Sequence, residues 1–360
     1  MQSVSLPHAL KHDASIELPP IGVGTWSWGA PKWGWGTWDE RLNKKAAMAA
    51  WDAFVAMGGG LVDTADDYGG GLSEDLIGAG MRRGAENVHI ATKGSAQPSQ
   101  LVAAAKASCR RLGVESVTLY QLHSVIEPID AAADALAQIA KEGLAMCVGA
   151  CNHNVLQLER LRKRLATKGV RLGSCQAHAS LLAQQPFLRS HAQAQPQQPS
   201  LHEWCQTHGV LFIAYAPLAS GRLARRLAEQ PPRLHRKTAD APVSSGSGRA
   251  ALPVLTPALT APHKRGFGAV ADTASLVPLL RMLASGAEGG GAVPADTALR
   301  WLTAHANVLA IPGCKTAAQV KENLGSRRDA AGEGKAMSPE VMELLGAAGR
   351  AAVGRSKMLG

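Results

Sequence analysis

The chain has 360 residues, enough to bury one large α/β core, and its 46% hydrophobic content and mean hydropathy of -0.05 are those of an ordinary globular protein. No apolar run reaches the roughly 18 residues of a membrane span, and the opening MQSVSLPHALKHDASIELPP lacks the basic and apolar regions of a secretory signal, so the chain is not expected to be secreted. The net charge is +10, but the basic clusters near 160–171, 222–236 and 325–328 are not interleaved with aromatics, which argues against a nucleic-acid partner.

In chain order, short apolar runs alternate with helical patterns. GVGTW (22–26) is followed by a tryptophan-rich loop and a helix over 43–57, with Asn43 as its cap and the glycines at 58–60 as its stop. GLVDTA (60–65) leads to a helix over 73–83 opened by Ser73. NVHIATK (87–93), SVTLYQLH (116–123), MCVGACN (146–152), LGSCQAH (172–178), VLFIAYAPL (210–218) and VLAIPGCK (308–315) read as further strands. Helical stretches at 99–112, 130–142, 154–168, 201–209 and 294–305 fall between them. Each strand is almost continuously apolar and ends in a polar residue or glycine, as strands buried on both faces of a parallel sheet do.

The strand ends at Asp63, Lys93, His123 and Asn152 are separated by 30, 30 and 29 residues, one strand–helix unit each. Eight such units predict a single (β/α)8 TIM barrel over residues 15–326. An open dinucleotide-binding sheet is disfavoured because GVGTWSWG has the wrong spacing for a phosphate loop. The connection between the seventh and eighth strands is abnormally long, and 228–292 is expected to be a flexible insertion, rich in Pro, Ser, Gly and basic residues. Residues 327–360 are expected to form a helical tail, with Ser338 as a cap.

Six cysteines, Cys109, Cys147, Cys151, Cys175, Cys205 and Cys314, contain no CxxC pair, so neither a disulfide framework nor a metal site is expected. Chemistry in such a barrel happens at the carboxyl ends of the strands. Asp63, Lys93 and His123 end three successive strands, and Tyr68 follows in VDTADDYGGGLSE, where Asp66 and Asp67 read as solvated spacers. Taken singly, each has a bland explanation: a turn-forming Asp, a snorkelling Lys, a His at the core edge. Together they make a device. An ammonium beside a phenol favours the phenolate, a carboxylate holds the ammonium, and an imidazole can orient a carbonyl oxygen. The tryptophans Trp26, Trp28, Trp33, Trp35 and Trp38 either wall a substrate pocket or pack their loop on the barrel.

GVGTWSWG, DTADDYGGGLSEDLIG, ATK, LYQLH, VGACN, IAYAPLASG and IPGCKTAAQVKENLG, in that order, resemble the aldo-keto reductase superfamily, and its plant and algal branch in the GTWSWG opening. The resemblance implies an NADPH-dependent oxidoreductase that reduces an aldehyde or ketone, with a small carbonyl compound as its substrate. It implies Tyr68 as general acid, Asp63 and Lys93 as its tuners, and His123 as the group that positions the carbonyl. For NADPH/NADP+ it implies Gly24, Thr25, Trp26, Asp63, Asn152 and Gln176 near the nicotinamide, Tyr215 stacked on the ring, and Leu218 nearby. Gly313, Lys315, Thr316, Gln319 and Asn323 would hold the adenosine-phosphate end. A chloroplast stromal or cytoplasmic location is implied in the same way. Departures from the family pattern stand at Cys151 and Ala216, each in place of serine, and at His178 and Ala179 beside Gln176. With the long insertion, these leave a second expectation open: an NADPH-binding regulatory or assembly subunit with little turnover and a protein partner. A barrel hydrolase fits poorly, since no second carboxylate stands at a neighbouring strand end.

Overall fold

The eight expected strands form one parallel sheet. A computed structural model describes residues 3–29, 40–85, 87–189, 198–224, 282, 294–329 and 337–358. A hairpin of β1 (Val4–Pro7) and β2 (Ser15–Leu18) precedes β3 (Val23–Gly24), α1 (Glu40–Ala56), β4 (Gly60–Asp63), α2 (Leu72–Met81), β5 (Val88–Gly94) and α3 (Pro98–Leu112). Then come β6 (Val117–Leu122), α4 (Ile129–Lys141), β7 (Ala145–Cys151), α5 (Val155–Ala166), β8 (Leu172–His178), α6 (Leu201–Thr207) and β9 (Leu211–Tyr215). The chain ends with α7 (Pro294–Thr303), β10 (Val308–Ile311), α8 (Ala317–Asp329) and α9 (Pro339–Met358). Strands β3 to β10 neighbour one another in chain order, and parallel bridges Ile21–Ala310 and Gly24–Gly313 close the barrel. The 228–292 insertion lies outside the described residues, apart from Met282, which packs on the core.

Local chemistry explains most of the ring of helices. On α4, Ile129, Ala132, Ala133, Leu136, Ile139 and Ala140 recur at helical spacing and are all buried. Reciprocal capping boxes open α5 (Asn154 with Gln157) and α6 (Ser200 with Glu203). The arginines of α5 are tied down as well: Arg160 pairs with Asp130 at 2.9 Å and Arg164 with Asp134 at 2.6 Å.

Two expected caps are not caps. The chain is already helical at Glu40, so Asn43 lies within the first turn of α1 and is buried there. Helix α2 begins one residue before Ser73, because Gly71, at φ 98°, turns the chain in a left-handed conformation that glycine tolerates. Ser73 is thereby freed to point into the barrel wall. Ser338 does accept a hydrogen bond from Val341 N, at 3.4 Å, at the start of α9.

The N-terminal hairpin is the element the pattern did not predict, and its first strand lies before the expected start at residue 15. Val4 pairs with Leu18 and Leu6 with Ile16. Val4, Leu6 and Leu18 are buried against Leu61, Ala91, Leu119, Cys147, Leu211 and Leu309, the inward-facing layer of the barrel. A Cβ on Gly173 would stand 2.8 Å from Pro7 O, so the hairpin approaches β8 only because that position has no side chain. The boundary expected at 326 falls inside α8. All six cysteines are buried and unbridged.

Candidate active site

The strand ends bring the predicted polar residues to one mouth. Asp63 ends β4, and Lys93 lies one residue from the end of β5. Both are sealed from solvent, at 2% and 0% exposure. The Lys93 ammonium has three protons and three acceptors: Asp63 Oδ1 at 2.6 Å, Thr64 O at 2.7 Å and Tyr68 OH at 3.3 Å. Asp63 Oδ2 in turn accepts from Gln176 Nε2 at 2.8 Å. A buried charge pair is tolerated when both partners are satisfied in this way.

Burial is the largest single influence and opposes the charge on Lys93, but Asp63, Tyr68 and Cys151 together outweigh burial and hold the lysine above its ordinary value. The Asp63 carboxyl is pushed up by burial against the pull of Lys93 and Gln176. For Tyr68 the outcome differs from the simple expectation. Lys93 does favour the phenolate, but burial is the larger influence and raises the phenol, so Tyr68 keeps its proton. The Tyr68 and His123 rings meet edge to face with centroids 5.6 Å apart.

A chain of hydroxyls supports this wall. Thr25 Oγ1 donates to Asp63 O at 2.9 Å, and Ser73 Oγ lies 2.8 Å from both Thr25 Oγ1 and Thr64 Oγ1. Thr25 is fully buried, so its side chain holds the end of β4 from beneath. Behind β5, the buried Glu74 accepts from Thr92 Oγ1 at 2.5 Å and from Arg111 Nε at 2.7 Å. From sequence Thr25 was expected only near the cofactor and Ser73 only as a cap, and Thr64, Glu74, Thr92 and Arg111 were not singled out. The threonines directly after GVG and after Asp63 were the available signal.

Asp66 and Asp67 are more than solvated spacers. Asp66 is half-buried, and burial, with Asp67 and Glu74 nearby, raises its carboxyl to about 6. Asp67 is exposed, with Oδ1 3.4 Å from His123 Nδ1. Asp66, Asp67 and His123 bring one donor atom each within 4.8 Å of one another, the one such set among the described residues.

The opposite wall is uncharged. Asn152, in a left-handed conformation at φ 61°, donates from Nδ2 to His123 O at 3.1 Å and accepts from Tyr215 OH at 3.0 Å. Cys151 S–H lies 3.7 Å from Gln176 Oε1, and burial raises its thiol. Ala216, Ala219 and Ser220 also have positive φ, so four of the five such non-glycine residues among those described stand at this mouth. Strain concentrated at one end of a fold is a mark of a working site.

The IPGCKTAAQVKENLG stretch follows β10. Thr316 Oγ1 accepts from Gln319 N at 3.2 Å, and the Lys315 N–H is bound by Gln319 Oε1 at 2.8 Å at the start of α8. Burial lowers the Lys315 ammonium below the ordinary lysine value. Gly313 is exposed there. Asn323 is buried and donates to Cys314 Sγ at 3.2 Å, which ties α8 to the strand-end loop. Gly24 N donates to Pro312 O at 2.9 Å and Leu218 is buried, whereas Trp26 is 38% exposed. Trp28 is buried with its Nε1 on Cys314 O at 2.7 Å, so it packs the first loop against the loop after β10. Trp33, Trp35 and Trp38 lie outside the described residues.

The aldo/keto reductase family model matches residues 20–329, which is most of the chain. The chain belongs to the aldo/keto reductase family. Among curated members it is 29% identical over 333 residues to the chloroplastic pyridoxal reductase of Arabidopsis thaliana, covering 86% of this chain and 79% of that one. It is also 29% identical over 321 residues to an uncharacterized oxidoreductase of Mycobacterium bovis, covering 87% and 86%. The fold matches an aldo-keto reductase of Klebsiella pneumoniae solved in complex with NADPH, with a TM-score of 0.66 at 20% identity over 97% of this chain and 96% of that one. Among the described residues no helix is long and apolar enough to cross a membrane.

Proposed function

We propose that this aldo/keto reductase reduces an aldehyde or ketone with NADPH, and that Tyr68 delivers the proton to the carbonyl oxygen. The observation that carries the proposal is the fully coordinated Lys93 ammonium, whose third proton points at Tyr68 OH. Because that hydroxyl accepts from Lys93, its own proton is free to be given to a substrate. As negative charge develops on the phenol oxygen, an ammonium already held in place stabilises it without reorganisation. Asp63 and Gln176 keep Lys93 from turning away. His123, edge-on to Tyr68, is the second donor that fixes the carbonyl oxygen.

The residues at the mouth suit the cofactor. NADPH, when bound, supplies the hydride. Tyr215 is half-buried, Asn152 and Gln176 offer amides, and Lys315 with Thr316 and Gln319 surrounds the amino end of α8, a natural place for a phosphate. A lysine lowered by burial gains from a neighbouring anion.

The test combines an NADPH titration with a panel of aldehydes that includes pyridoxal, prompted by the name of the Arabidopsis relative. Wild type should bind and turn over. Tyr68→Phe should bind NADPH within about 3-fold of wild type yet lose roughly 100-fold or more in turnover. Near wild-type turnover by that variant would remove Tyr68 as the acid. Tight binding with no turnover by wild type would mark a regulatory or assembly subunit instead.

A further inference from the structure

His178, the last residue of β8, is not used by the chemistry proposed above. It is paired in register with Tyr215 on β9, so the two side chains leave neighbouring strands on the same face, two residues beyond Gln176 and Ile213. Their rings are stacked, with centroids 5.4 Å apart and planes 15° from parallel. Burial lowers the His178 imidazole below its ordinary value, so at neutral pH it is an uncharged aromatic plate. The far end of Tyr215 is pinned as well, by its hydroxyl on Asn152 Oδ1 at 3.0 Å, and Asn152 is pinned to His123 O at 3.1 Å.

The backbone beneath His178 is equally well held. Ala179 N donates to Tyr215 O at 3.3 Å, and the next turn closes through Ser180 and Ala183. Gln184 Nε2 donates to Leu181 O and to Gly346 O, each at 2.8 Å, and its Oε1 accepts from Arg350 at 2.9 Å. The C-terminal helix α9 thus anchors the loop that carries His178.

We propose that His178 is a positioning residue for the cofactor: it covers one face of Tyr215 and fixes the ring so that the opposite face is the platform for the nicotinamide. The proposal rests on the NADPH assignment above. A tyrosine stacked on one side and hydrogen-bonded at its tip has little rotational freedom left to lose when a second ring settles on it. Binding to a platform already in place costs less than binding to one that must be ordered.

NADPH is titrated against wild type, His178→Ala, His178→Gln and His178→Phe, following tryptophan quenching and nicotinamide emission, with thermal melts to verify folding. The alanine and glutamine variants should raise Kd about 3- to 10-fold, the range of one aromatic pair, and the phenylalanine variant should stay within about 2-fold. The turnover number at saturating NADPH should change less than Kd. Glutamine keeps the size of the side chain without a ring, so the comparison survives if the alanine variant does not fold. Unchanged or tighter binding by the alanine or glutamine variant, or binding by the phenylalanine variant as weak as theirs, would overturn the role of His178 alone. Failure of wild type to bind NADPH would overturn the cofactor assignment, and this inference with it.

Discussion

The two ends of the barrel are built from the same strands and the same inward-facing register, yet they are opposite in character. At the floor, Leu61, Ala91 and Leu119 meet the hairpin residues Val4, Leu6 and Leu18 in an entirely apolar layer. Two residues further along the same strands stand Asp63, Lys93 and Gln121, all buried and all polar. On β9, Ile213 gives way to Tyr215 over the same step. One pleat, about 6.6 Å of strand, therefore separates a layer that stabilises from a layer that carries a charge pair. Substitutions at the floor should cost stability and leave chemistry alone. Substitutions at the mouth should do the reverse, except where a mouth residue is itself held in the core.

Lys93 is that exception, and it gives the largest expected effect. Lys93→Met should reduce turnover roughly 100-fold or more, since Tyr68 loses the cation that stabilises its phenolate. It should also cost about 3–5 kcal/mol of stability, because Asp63 stays buried without its partner. Urea denaturation and single-turnover kinetics read the two losses separately. The double variant Asp63→Asn with Lys93→Met sharpens the contrast: most of the stability should return and none of the rate. Recovery of rate in the double variant would mean that the pair serves the fold only.

At the floor, Leu6 is 0% exposed and sits at the centre of the plug. Leu6→Ala should destabilise by about 2–5 kcal/mol, the range for leucine truncation in a packed core. The fraction that remains folded should keep kcat and KM within about 2-fold of wild type. A fall in kcat larger than that, measured well below the unfolding transition, would show that the floor transmits strain to the mouth and that the two layers are not independent.

Legibility in the sequence follows the same division. The eight barrel strands and the convergence of Asp63, Lys93, His123 and Tyr68 could be read because each strand is a continuous apolar run with a polar stop, repeated at near-constant spacing. The floor hairpin could not be read. Its strands are four residues long, they end at Pro7 and Leu18, and their burial depends on a cavity that only the closed barrel provides. Ser73 looked like a cap because Ser before an acidic first turn usually is one. Its true partners, Thr25 and Thr64, are 48 and 9 residues away in the chain. The stacking of His178 on Tyr215 depends on the register of two strands, and no single stretch of sequence encodes that.

Asp66 offers the smallest effect and tests whether the mouth is a strained region. Its carboxyl is raised to about 6 by burial, with Asp67 and Glu74 nearby and Arg111 only partly opposing them. An unfolded aspartate titrates near 3.9, so between about pH 4 and pH 6 the folded chain holds a proton that the unfolded chain has lost. Stability from this group is therefore fully present below about pH 4 and is lost as pH rises through about 6. Asp66→Asn removes that loss. After allowance for the solvent that reaches a half-buried group, the variant should be about 1 kcal/mol more stable than wild type at pH 7.5 and no different near pH 4. Urea denaturation at the two pH values is the measurement. If Asp66→Asn were instead the less stable protein at pH 7.5, the ionised carboxylate would be holding the turn that carries Tyr68. The acids of the mouth would then belong with Thr25 and Ser73 among its supports.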